Sequence, residues 1–190
     1  VAADLVIMRG VFSFGGDWHW GALAGRSPMM NAVLDHAARG GAVMGICNGF
    51  QILAETGMVP GVLIRNAGLK FGCRNVGLQL CETLASPFTA GLELGEDLTI
   101  PIAHNEGNFF ADADELDRIE GNGQVAFRYA ASDAVGPTNP NGASRDIAGV
   151  LSNNGRVLGM MPHPERAMSK LHGGTDGAKF LLKSLEALVS

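Results

Sequence analysis

The sequence predicts one α/β domain: an open, mostly parallel sheet with helices on both faces and some antiparallel strands. Three observations carry this. Short apolar runs at Leu5–Met8 and Ala42–Ile46 have the length and continuity of strands buried on both faces. Segments with apolar residues at helical spacing precede and follow the second run, so the unit there is helix–strand–helix. The middle of the chain changes to short strand-like runs joined by loops, which reads as antiparallel pairing. A length of 190 residues suits a single domain, taken as residues 1–190, with a sizeable core.

The elements follow in order. Leu5-Val6-Ile7-Met8 is a buried strand running into a glycine-rich loop from Arg9 to Gly16. Ser27 to Ala38 is a helix, with Ser27 as N-cap, Pro28 at the first helical position, and Met30, Val33, Leu34 and Ala37 on one face. Gly40-Gly41 ends it. Ala42 to Ile46 is a strand, and Asn48 to Glu55 a helix stopped by Gly57 and Pro60-Gly61. Val76–Leu80, Leu98–Ala103 and Gln124–Ala130 are strands, with a short helix near Ala113–Ile119. Gly136 to Ser144 is a loop rich in Pro, Asn and Gly. Ile147–Ser152 and Arg156–Met161 form a hairpin around Asn153-Asn154-Gly155. A helix from about Thr175 to Leu188 closes the chain.

Composition removes several function classes. Lys plus Arg is 14 and Asp plus Glu is 19, for a net charge of −5, and no basic cluster appears, which argues against a nucleic-acid surface. No apolar run approaches the ~18 residues of a membrane span, and no targeting segment is visible. The 27 glycines are scattered without period, as many tight turns require. Three cysteines, at 47, 73 and 81, cannot all pair internally and fit no common zinc spacing, so no metal is expected and a cytoplasmic setting is. Cys73 and Cys81 read as core residues, as does the Met29-Met30 pair.

Two short motifs carry the chemistry. Gly45-Ile46-Cys47-Asn48-Gly49 has the spacing of a nucleophile elbow, a sharp strand-to-helix turn with glycine relieving the crowding on each side. It puts sulfur at a helix N-terminus, where free N–H groups and the helix dipole favour thiolate, and it sets the Asn48 N–H to receive an oxyanion. Met161-Pro162-His163-Pro164-Glu165 is the second motif. In an extended segment His163 and Glu165 face the same side, and each proline biases its predecessor toward extended geometry. Glu165 then orients the ring while His163 takes the thiol proton. Together the motifs point to acyl transfer through a thioester. Gln51, one helical turn after Cys47, can share its face. His104 and Glu106 alternate at a strand end.

With these residues in view, the chain resembles the class I, triad-type glutamine amidotransferases, and within them the glutaminase subunits of phosphoribosylformylglycinamidine synthase. The resemblance rests on Gly45 to Leu53, Arg65-Asn66, Leu69-Lys70-Phe71, Cys73-Arg74, Pro101 to His104, Glu106-Gly107-Asn108 and Met160 to Arg166. It implies a flavodoxin-like fold and hydrolysis of L-glutamine, with Cys47 as nucleophile, His163 as general base and acid, and Glu165 orienting the histidine. It implies a second oxyanion donor near Gly10 or Val11, Gln51 as a substrate or loop contact, and a glutamine pocket at the His104–Glu106 loop that binds through backbone or side chains. It also implies partners: a synthetase subunit that receives the ammonia and a small accessory subunit. ATP and Mg are expected on the synthetase, since no Walker-type loop occurs in this chain, and no cofactor is expected here.

The chain departs from the family pattern at three points. The family begins with a further strand, loop and helix, and this chain opens at Val1-Ala2-Ala3 without them, so it reads as a fragment or as trimmed. Arg9-Gly10-Val11-Phe12-Ser13 stands where the family has Pro-Gly-Gly-Phe-Ser, and valine resists backbone angles that glycine permits. Asn105 stands where glycine is usual. Two alternatives to the active glutaminase therefore stay open: a silent glutaminase-like binding subunit, and another cysteine amidohydrolase of the same fold.

Overall fold

A computed structural model describes residues 3–9, 28–131 and 138–189. Its elements are β1 (Leu5–Arg9), α1 (Pro28–Ala38), β2 (Ala42–Ile46), α2 (Asn48–Glu55), β3 (Val62–Ile64), β4 (Gly72–Leu80), β5 (Asp97–His104), β6 (Asn108–Phe110), α3 (Ala113–Gly121), β7 (Val125–Ala130), β8 (Ile147–Leu151), β9 (Val157–Met160) and α4 (Asp176–Val189). The cap expected at Ser27 lies outside the described residues.

The main sheet has seven strands in the order β1-β2-β9-β8-β7-β4-β5, and β3 pairs with β6 in a separate small sheet. The β1–β2 and β2–β9 pairs are parallel, and the remaining neighbours are antiparallel. Five of the seven strands, β1, β2, β9, β7 and β5, therefore point the same way and end at one rim. All of β2, β8 and β9 is buried, as continuous apolar runs require.

Helices cover both faces. A Cβ on Gly159 of β9 would overlap the Phe50 ring, so α2 lies on that face. Met160, Gly149 and Phe127 share the other face, where Phe127 meets Phe180 of α4 edge-on at 5.6 Å between ring centroids.

The sheet is curled. On a flat sheet β2 and β5, five places apart, would be separated by about 24 Å at ~4.8 Å per strand. Yet the sulfur of Cys47, just past β2, lies 3.9 Å from the Ala103 carbonyl of β5. The His163 N–H, just past β9, donates to the Pro101 carbonyl of β5 at 2.8 Å. Strand twist, increased by register shifts around Phe127 in β7, bends the sheet into a half-barrel whose far margin returns over the ends of β2 and β9. The Asp176 carboxylate, opening α4, accepts from the Thr99 N–H at 2.8 Å and ties that margin down.

Strands β3 and β6 carry no strand signal in the sequence, being three residues each and without alternation. Strand β4 starts at Gly72 rather than Val76, because β5 pairs with its polar first half from Gly72 onward. Cys73 and Met29 are exposed, not core, while Met30 is buried. Among the described residues no helix is long and apolar enough to cross a membrane.

Candidate active site

The end of β2 turns sharply into α2 at Cys47, whose φ of 55° and ψ of −109° place a non-glycine residue in the left-handed half of backbone space. Such a conformation costs about 1–3 kcal/mol and persists only where surrounding packing imposes it. Gly49 supplies that packing: a Cβ there would overlap the Met8 carbonyl oxygen, so the first turn of α2 presses directly on the β1 backbone. The Cys47 N–H donates to the Met160 carbonyl at 2.9 Å, fixing the elbow beside the end of β9.

The thiol is buried, in weak contact with Ala103 O at 3.9 Å and Asn48 Oδ1 at 3.8 Å. Burial pushes its pKa up to about 11, against the opposing pull of the Asn48 N–H and the Arg166 charge. The sequence leads to a thiolate at a helix N-terminus. Desolvation outweighs the N–H groups and dipole, and the resting group is a neutral thiol.

His163 is also buried. Its pairing with Glu165 does not arise from an extended strand end, because β9 stops at Met160 and Pro164–Arg166 form a 3-10 turn. That turn still brings His163 Nδ1 to 2.8 Å from Glu165 Oε1. Burial alone would raise the Glu165 pKa. The His163 hydrogen bond and charge, its own backbone N–H and the Arg9 charge outweigh burial and hold the carboxyl below its usual value. Arg9 Nε and Arg166 Nε lie 3.4 and 3.9 Å from the same oxygen. An ionised carboxylate only accepts, so Nδ1 carries a hydrogen, and in the neutral ring Nε2 is the nitrogen that can take a proton. That Nε2 is buried and has no hydrogen-bond partner among the described residues, as a base awaiting a proton would.

The third wall is the turn from β5 into β6. His104 is buried there, and its pKa is pushed down to about 4, first by burial and then by the nearby His163. Gln51 Nε2 donates to the Glu106 carbonyl at 2.7 Å, so within the described residues it is a loop contact. The Glu106 carboxylate turns toward solvent and pairs with Arg65 at 3.8 Å, so this residue meets the site through its backbone rather than its side chain. Gly10 and Val11 lie outside the described residues.

Two buried asparagines grip this turn. Asn66 Nδ2 donates to the Lys70 and His104 carbonyls, each at 2.9 Å. Its Oδ1 accepts from the Gly107 N–H at 3.0 Å and lies 3.1 Å from His104 Nδ1. Asn141 Nδ2 donates to the Gly107 carbonyl at 2.7 Å and to the Tyr129 hydroxyl at 3.1 Å. Gly107 is thus held at both its N–H and its carbonyl. In a sequence, each asparagine looks like an ordinary loop residue, and only tertiary placement sets them apart. Among the described residues no group of three or more His, Cys, Asp or Glu side chains could hold a metal ion.

Comparison with known proteins fits this geometry. The model of the CobB/CobQ-like glutamine amidotransferase domain matches residues 3–176. Phosphoribosylformylglycinamidine synthase subunit PurQ of Novosphingobium aromaticivorans is 51% identical over 186 residues, covering 98% of this chain and 79% of that protein. The subunit of the same name from Roseobacter denitrificans is 54% identical over 174 residues, covering 92% and 75%. The structure of PurLQS from Thermotoga maritima superposes with a TM-score of 0.83 at 40% identity, over 97% of this chain and 80% of that one. By that match and these identities, the chain belongs to the CobB/CobQ-like glutamine amidotransferase family.

Proposed function

We propose that this chain is the glutaminase subunit of a phosphoribosylformylglycinamidine synthase. It releases ammonia from L-glutamine for a synthetase partner that makes formylglycinamidine ribonucleotide in purine biosynthesis. The relatives' names and the solved PurLQS assembly support the partnership with a synthetase and a small third subunit. ATP and Mg act, in this reading, on the synthetase, and the reaction runs in the cytoplasm.

The observation that carries the chemistry is the convergence of a strained, buried cysteine and a carboxylate-oriented histidine with a free Nε2 at one rim of the sheet. The sulfur of Cys47 attacks the carboxamide carbon of glutamine as its proton passes to His163 Nε2. The oxyanion meets the Asn48 N–H, and Gly10 or Val11 is the place for a second donor. The tetrahedral adduct collapses to a thioester. The C–N bond breaks, and the nitrogen leaves as ammonia with the proton from His163. Water then attacks the thioester, with His163 again as base, and glutamate departs. Because the thiol is neutral at rest, His163 must remove its proton in the presence of substrate rather than before it.

Glutamate release by the chain with its synthetase partner tests this. Cys47→Ala is expected to abolish it, while ammonia supplied directly still supports amidine formation. Unchanged glutaminase activity in that variant removes the mechanism. No turnover by the parent with an intact partner favours a silent binding subunit.

A further inference from the structure

Among the described residues, two buried imidazole nitrogens at this rim lack hydrogen-bond partners, His163 Nε2 and His104 Nε2. The mechanism uses the first. The second is defined by the asparagine beside it. Asn66 Nδ2 donates to two carbonyls, those of Lys70 and His104, so its amide can be oriented only one way. Its Oδ1 is therefore the atom facing His104 Nδ1 at 3.1 Å, and it also accepts from the Gly107 N–H. An amide oxygen cannot donate, so His104 Nδ1 carries the hydrogen. Nε2 is left as a bare, buried lone pair at this rim: the sulfur of Cys47 touches the carbonyl of the preceding residue, Ala103, and His163 lies near enough to act on the His104 ring. Gly107 packs directly on the ring, which leaves no space for a Cβ and keeps the imidazole in place.

A buried acceptor without a donor is costly, by about 1–3 kcal/mol, unless a ligand supplies the donor. Resting on the glutaminase reading above, we infer that His104 Nε2 accepts an N–H of the glutamine carboxamide and keeps that contact with the ammonia it becomes. The carboxamide nitrogen is bonded to the very carbon that sulfur attacks, so it is the substrate donor that must come nearest Cys47. The substrate's α-ammonium is the poorer candidate, since it would set a second cation beside His163 once that ring takes the thiol proton. An Nε2 without hydrogen also has no proton to give, so it can hold ammonia without turning it into ammonium, which is not nucleophilic. The low His104 pKa, about 4, keeps it in that state at neutral pH. Asn66 is the positioning residue, since it sets the tautomer.

The test compares L-glutamine with the γ-methyl ester of L-glutamate, which has the same acyl group and no carboxamide N–H. The readout is the ratio of kcat/KM for the two substrates in the chain with its synthetase partner. This ratio is independent of how much of the preparation is folded. His104→Asn keeps a donor toward Asn66 and loses the distal acceptor, and the ratio should fall about 10- to 100-fold. His104→Gln restores an oxygen near that position, and the ratio should return to within about fivefold of the parent. If His104→Asn is insoluble, His104→Ala carries the same comparison. A ratio unchanged in His104→Asn, or one that His104→Gln leaves equally low, overturns the acceptor role. Those results leave the glutaminase reading standing. That reading fails separately if the parent hydrolyses neither substrate, or if Cys47→Ala keeps full activity.

Discussion

The buried, neutral thiol of Cys47 predicts an inversion of the usual reactivity order among this chain's cysteines. The perturbation is pH, and the probe is N-ethylmaleimide, which reacts with thiolate and has neither the primary carboxamide nor the amino-acid head of glutamine. With the pKa near 11, about three sulfurs in 10,000 are ionised at pH 7.5, against about one in ten for an ordinary thiol near 8.5. Ionisation alone slows Cys47 about 300-fold, and the greater nucleophilicity of a more basic thiolate returns about tenfold. Cys47 should then alkylate at least about 30-fold slower than an ordinary accessible thiol. Its rate should climb about tenfold per pH unit, without a plateau between about pH 7 and about pH 9.5. Cys73, which is exposed, serves as the internal comparison. Timed quenching and mass spectrometry of the two cysteine peptides give both rates in one sample. Arg166 pulls the Cys47 pKa down, so Arg166→Gln should slow labelling by a further few-fold, about two to five, since that guanidinium is partly solvated. A Cys47 rate that levels off near neutral pH, or that exceeds the Cys73 rate there, would refute the reasoning and restore a preformed thiolate.

Three other outcomes follow from the same geometry. Glu165→Gln presents an amide to His163 Nδ1 and permits the tautomer with hydrogen on Nε2, so glutaminase kcat should drop about 1,000-fold or more with the fold intact by circular dichroism. His104, with its folded pKa near 4 and an unfolded value near 6.5, leaves the unfolded chain binding the extra proton in between. Stability should therefore fall as pH drops, by about 2 kcal/mol between pH 7 and pH 5 in urea unfolding from this residue alone, and His104→Gln should remove that share of the slope. Gly49→Ala forces a methyl against the Met8 carbonyl, and should cost about 2 kcal/mol or more in the same assay while lowering kcat by displacing the elbow; an unchanged midpoint would mean that α2 does not press on β1.

Much of the architecture was legible because its signals are local. Ala42–Ile46 and Asn48–Glu55 have the same bounds in sequence and structure, since glycines mark one boundary and an unbroken apolar run the other. The cysteine elbow and the His163–Glu165 pair could be read from spacing, although a 3-10 turn rather than an extended end makes the second. What escaped depends on tertiary placement. Strands β3 and β6 exist because each pairs with the other, and β6 is held against α2 by the stacking of Phe109 on Phe50 at 6.1 Å between ring centroids. The state of the Cys47 thiol turns on desolvation by neighbours distant in the chain. Asn66 and Asn141 act across separations of 41 and 34 residues from Gly107, a range at which one sequence carries no pairing signal.

The bend of the main sheet has a consequence for where this active site is vulnerable. Sulfur and imidazole come from neighbouring strands, but the wall opposite them arrives from the far margin, and the backbone bond from the His163 N–H to the Pro101 carbonyl joins the two sides. The width of the cleft is therefore set by that bond together with the accumulated curvature of every strand between, including the irregular pairing around Phe127. A residue deep in that strand, touching neither nucleophile nor substrate, takes part in spacing the chemistry, so a substitution that regularised the pairing there would load the His163–Pro101 bond without altering any group inside the cleft.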